Sequence, residues 1–134
     1  MIVDTSALVA MLRDEPSGAA VRDAMIAALD RLETIALSAA SYVELGMVVD
    51  AARSPVQSRK VDEILVENLV HVVPVDAEQA RVAREAYRDY GRGSGHPARL
   101  NYGDCFSYAL ASVRREPLLF VGEDFVHTDL RSVL

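Results

Sequence analysis

The stretch MIVDTSALVA at positions 1–10 sets an apolar, β-branched pair, Ile2–Val3, directly before a carboxylate, Asp4, and two hydroxyls, Thr5 and Ser6. A short apolar run of this kind is the mark of a buried strand. Thr5 or Ser6 then suits the cap of a helix starting near Ala7 and ending around Asp14–Pro16. The same alternation recurs along the chain. Thr34–Leu37 predicts a second strand, with Ser38 opening a helix to about Ala52. HVVPV at 71–75 predicts a third strand, followed by a helix over 76–90 that Asp76 caps, and PLLFVG at 117–122 predicts a fourth. Further helices are expected from Ser17 to about Leu32, over Val56–Leu69 after Pro55, and from Asn101 to about Arg115. Short apolar strands alternating with helices imply an α/β fold, a parallel sheet covered on both faces.

In such sheets sites form outside the carboxyl ends of the strands, which makes Asp4 and Asp124 candidates by position. Two more acids stand in apolar or small-residue surroundings: Glu44 in SYVELGMVV and Asp104 in NYGDCFSYALA. Each has an ordinary explanation. Asp4 is a natural N-cap, Ser41 and Glu44 have the spacing of a capping box, Asp104 suits a first helical turn, and Asp124 suits the cap of a turn. Together they are harder to explain, because gathering ionised carboxylates in a poorly hydrated place costs several kcal/mol (on the order of the penalty for a buried unpaired charge). A hard divalent cation such as Mg²⁺ or Mn²⁺ removes the conflict and brings the means to hydrolyse a phosphodiester.

Bulk properties set the limits. With 134 residues, 51% hydrophobic and 25% charged, a single soluble domain over 1–134 is expected. No apolar run reaches membrane-spanning length, and the N-terminus has no basic leader, so a cytoplasmic protein is expected. The net charge of −6 argues against a general nucleic-acid coat, although bound metal would invert the field around an acidic cluster. One cysteine, Cys105, excludes an internal disulfide and a four-thiolate zinc site. His71, His96 and His127 are too scattered for zinc. The loop GRGSGHPARL at 91–100 carries Arg92 and Arg99, which suit either phosphate contacts or a flexible, solvated connection.

The ordered set IVDTSAL, SYVEL, YGRGSGHPARLNYGDCFSYALA and PLLFVGEDF resembles the PIN-domain ribonucleases, specifically the VapC-type toxins of toxin–antitoxin pairs, over essentially the whole chain. The resemblance implies a PIN-like three-layer α/β fold with a short parallel sheet of four to five strands. It implies Mg²⁺-dependent endoribonuclease activity on tRNA, rRNA or other translation-related RNA, with Mn²⁺ able to substitute. A cognate VapB-type antitoxin would neutralise the activity, and a homodimer is expected. By position, Asp4 and Asp104 would bind the metal directly, Glu44 directly or through water, and Thr5 and Ser6 would support Asp4 or hold a water. Many relatives carry Asp-x-Asp-Phe after the last core strand, whereas this chain has Gly122-Glu123-Asp124-Phe125. Asp124 is thus the expected fourth acid, Glu123 the weaker candidate, and a second metal is in doubt. The substitution at Gly122 also leaves room for a catalytically silent module that binds antitoxin or RNA. A phosphatase is disfavoured because the first strand is not followed by Asp-x-Asp.

Overall fold

The computed structural model describes all residues from Met1 to Leu134. The elements run β1 (Ile2–Val3), α1 (Thr5–Leu12), α2 (Gly18–Asp30), β2 (Ile35–Ser38), α3 (Ala39–Asp50), α4 (Pro55–Glu67), β3 (Val70–Val73), α5 (Ala77–Tyr90), α6 (Asp104–Arg114) and β4 (Leu118–Leu119). The four strands form one sheet in the order β3-β2-β1-β4, with every neighbouring pair parallel. All carboxyl ends therefore open at the same edge, and β1 lies in the interior of the sheet.

Strand residues alternate between two cores, as the pleat requires. Val3, Ile35, Leu37 and Leu119 point into a core built with α1, α2, α3 and α4, including Leu8, Met11, Met25, Leu45 and Leu65. Ile2, Ala36 and Leu118 point to the other face, where they meet α5 and α6 through Ala83, Ala86, Tyr108, Ala109 and Leu110. This is a three-layer sandwich of helices, sheet and helices, with four strands rather than five.

Several element boundaries differ from the sequence reading. α1 begins at Thr5 because Asp4 itself is the cap: its carboxylate accepts from the Ser6 N–H. α6 begins at Asp104, not Asn101, and Asn101 stands before it as a capping side chain whose Oδ1 accepts the Asp104 N–H at 3.0 Å. The fourth strand shrinks to Leu118–Leu119. Beyond it the Val121 N–H leaves the sheet to bond the Ser6 hydroxyl, and Gly122 turns the chain at φ +106°. β3 also stops at Val73, where Pro74 has no N–H to continue the ladder.

Candidate functional site

The exit of β1 builds the first half of the site. Asp4 is 4% exposed, and its Oδ2 accepts both the Ser6 N–H at 2.9 Å and the Ser6 hydroxyl at 2.6 Å. That hydroxyl in turn accepts the Val121 N–H at 3.1 Å. Ser6 therefore fixes the Asp4 carboxylate and ties it to the segment that leaves β4.

Thr5 serves a different acid. Its hydroxyl lies 3.1 Å from Glu44 Oε2 and 3.3 Å from the Ser41 carbonyl, so it orients Glu44 rather than Asp4. The Ser41–Glu44 capping box does not form, because α3 has already begun at Ala39 and Glu44 lies well inside it.

α6 supplies the third acid. Asp104 is 8% exposed, and its Oδ2 accepts the Asn101 N–H at 2.6 Å while Asn101 caps Asp104 in return. Asp104 is thus a reciprocal cap and a member of the acidic group at once. One helical turn from each acid, Ser41 of α3 and Ser107 of α6 meet hydroxyl to hydroxyl at 3.1 Å, fully buried. This contact pins the two helices where Glu44 and Asp104 face the same edge.

Electrostatics confirms the proximity. Burial pushes the Asp104 carboxyl up to about 7; the Asn101 N–H opposes this, and the charges of Asp4, Asp124 and Glu44 add to it. Burial likewise raises Glu44, the Thr5 hydroxyl pulls it back, and Asp4 raises it further. Every charged group acting on Asp104 is itself an acid, and none of the four takes part in an ion pair. Asp4, Glu44 and Asp104 each spend one oxygen on a protein hydrogen bond, and their other oxygens have no protein partner. One anchored and one open oxygen per carboxylate is the donor set a hard divalent cation takes. The group is an open cluster rather than a closed cage: no three His, Cys, Asp or Glu side chains are close enough to enclose an ion as they stand.

The remaining candidates lie at the rim. Glu123 and Asp124 are exposed after the Gly122 turn, and of the two only Asp124 acts on Asp104. Arg92 and Arg99 are exposed on the 91–100 segment. That segment is anchored, since buried Ala98 and Leu100 pack into the core, Leu100 bonds Tyr90 and Arg92, and His96 stacks edge-on against Tyr90. Cys105 is buried and its thiol is pushed up to about 11, by burial and then by Asp104, which makes it a poor nucleophile. Between α5 and α6 a groove of about 320 Å³ presents Arg84, Tyr87, Tyr102 and Phe106 beside the first turn of α6.

The family model for the PIN domain matches residues 1–130. The chain belongs to the PIN-domain family. Among curated PIN-domain relatives it is 57% identical to ribonuclease VapC28 of Mycobacterium tuberculosis over 134 residues, covering 100% of this chain and 98% of that one. Ribonuclease VapC30 of the same species is 50% identical over 133 residues, covering 99% and 98%. Solved PIN-fold structures agree in architecture. VapBC2 from Rickettsia felis, bound to a promoter DNA fragment, superposes with a TM-score of 0.76 at 14% identity, covering 98% of this chain and 95% of that one. Mycobacterium tuberculosis VapC20, titled a sarcin–ricin loop cleaving toxin, gives 0.70 at 16%, covering 96% and 95%. As in the sequence reading, no helix of this PIN domain is long and apolar enough to cross a membrane.

Sequence reading missed Gly103, Asn101 and the Ser41–Ser107 pair. The signal was present in the spacing: SYVE and DCFS each set a serine one turn from an acid, the distance at which side chains share a helix face.

Proposed function

We propose that this chain is a Mg²⁺-dependent endoribonuclease, the toxin of a toxin–antitoxin pair, acting in the cytoplasm on translation-related RNA and held off by a VapB-type antitoxin. The observation that carries the reading is Asp104, a buried carboxylate whose charged neighbours are all acids. Full-length likeness to proteins named VapC ribonucleases supports the activity.

In this reading Asp4 and Asp104 would hold the cation, Glu44 would do so directly or through a water, and exposed Asp124 would add charge at the rim. The chemistry a bound cation would supply is neutralisation of charge developing on the scissile phosphate and a lowered pKa for a coordinated water. Ser6 keeps Asp4 in position, Thr5 does the same for Glu44, and the Asn101 backbone does so for Asp104. Arg92 and Arg99 meet backbone phosphates beyond the acidic mouth. Tyr87 and Tyr102 offer aromatic faces on which unpaired bases stack.

The test is cleavage of total cellular RNA by the purified chain with Mg²⁺, with EDTA, and for Asp4→Ala and Asp104→Asn. Loss of cleavage in the last three supports the reading; cleavage indifferent to metal and to both substitutions overturns it. A silent binding module is the second reading, favoured by Gly122, and Mg²⁺ binding without cleavage of any RNA would select it.

A further inference from the structure

Gly103 is a glycine its backbone does not require. Its φ of −65° and ψ of −45° are ordinary right-handed helical angles, open to any residue. The reason lies in space rather than conformation. A Cβ built at Gly103 falls inside the Glu44 carboxylate, overlapping Oε1 first and then the carboxyl carbon and Oε2. The carboxylate therefore rests directly on the Gly103 backbone, one residue before Asp104, while the Thr5 hydroxyl donates to its Oε2.

We infer that Gly103 is a positioning residue: the missing side chain is the seat of the Glu44 carboxylate and fixes its approach to Asp104. Glu44 belongs to α3 and Asp104 to α6, so their separation is set by how closely the two helices' side chains stack. The Ser41–Ser107 contact sets the helices, and the seat at Gly103 then lets a side chain as long as glutamate fold down between them. A methyl group at 103 lifts the carboxylate off the seat and loosens its bond to Thr5. An aspartate at 44, one methylene shorter, clears the added methyl group. This role rests on the acids being a cation site, and its test separates the two ideas.

The experiment measures Mn²⁺ binding by calorimetry, alongside thermal unfolding in EDTA, for the wild-type chain, Asp104→Asn, Gly103→Ala, Glu44→Asp and the double variant. Gly103→Ala is expected to unfold near the wild-type temperature in EDTA, since the added methyl meets only the movable end of Glu44, yet bind Mn²⁺ about tenfold more weakly, the usual effect of disturbing a group that orients a ligand. The double variant is expected to bind no more weakly than Glu44→Asp alone. Wild-type affinity in Gly103→Ala, or losses that multiply fully in the double variant, overturns the inference. If Gly103→Ala does not fold, the double variant decides: folding with the affinity of Glu44→Asp supports the seat, and failure to fold as well overturns it. No Mn²⁺ binding by the wild-type chain, or equal binding by Asp104→Asn, instead overturns the metal-site reading on which the role depends.

Discussion

Asp104→Asn is expected to stabilise the metal-free protein while abolishing its activity. Burial, with the charges of Asp4, Asp124 and Glu44, lifts the Asp104 carboxyl from 3.8 to about 7 against the pull of the Asn101 N–H. An acid raised in this way binds its proton more tightly in the fold, so stability falls with pH wherever the fold retains a proton that the unfolded chain has released. That contribution is complete below about pH 4, declines as pH rises towards 7, and is gone above it. The whole displacement corresponds to about 4 kcal/mol at about 1.4 kcal/mol per pH unit. Solvent at the open mouth of the cluster screens this to about 2 kcal/mol. Asparagine keeps an oxygen for the Asn101 N–H and carries no charge, so in EDTA at pH 8 the variant is expected to be about 2 kcal/mol more stable. For a chain of this length that is about 7 °C in Tm. At pH 5 the gap is smaller, because wild-type Asp104 then carries more of its proton in the fold than at pH 8. Millimolar Mg²⁺ closes it at pH 8 by stabilising the wild-type chain alone. Scanning calorimetry at the two pH values, with and without Mg²⁺, reads all of this. A variant no more stable than wild type at pH 8, or a gap that ignores pH, would refute the account of a strained carboxylate cluster.

Three further outcomes follow from the geometry. Ser6→Ala removes the donor to Asp4 and leaves the Val121 N–H without its acceptor; urea unfolding is expected to show a loss of about 1–3 kcal/mol, with RNA cleavage falling as well. Gly122→Asp puts an acid where many relatives have one, but at φ +106°; a fall in stability of about 1–3 kcal/mol is expected, and an unchanged Tm would show that the turn relaxes freely. Asp124→Asn touches the exposed rim of the cluster, so cleavage is expected to fall by less than in Asp4→Ala or Asp104→Asn, with stability within about 0.5 kcal/mol of wild type.

The alternation of strands and helices was legible because Ile2–Val3, Ile35–Leu37 and Leu118–Leu119 are too apolar for any surface and too short for helices. Their order in the sheet was not. Nothing in the residues of β1 states that it lies between β2 and β4, since backbone pairing carries no side-chain code. The acids stood out by contrast with their neighbours. Their supports did not, because hydroxyls and glycines have many uses. Thr5 reads as a cap and bonds a glutamate 39 residues away. Asn101 reads as a helix start and is the cap outside one. Gly103 reads as part of the helix expected from Asn101 and matters for the atom it lacks.

The bond from the Val121 N–H to the Ser6 hydroxyl spans 115 residues. A ribosome makes Ser6 well before Val121. Until β4 is delivered, β1 has no neighbour on one side, and the serine that steadies Asp4 lacks the donor that steadies it. The acidic edge is thereby completed only after most of the chain has been made. A chain released early, short of Val121, leaves that edge unfinished.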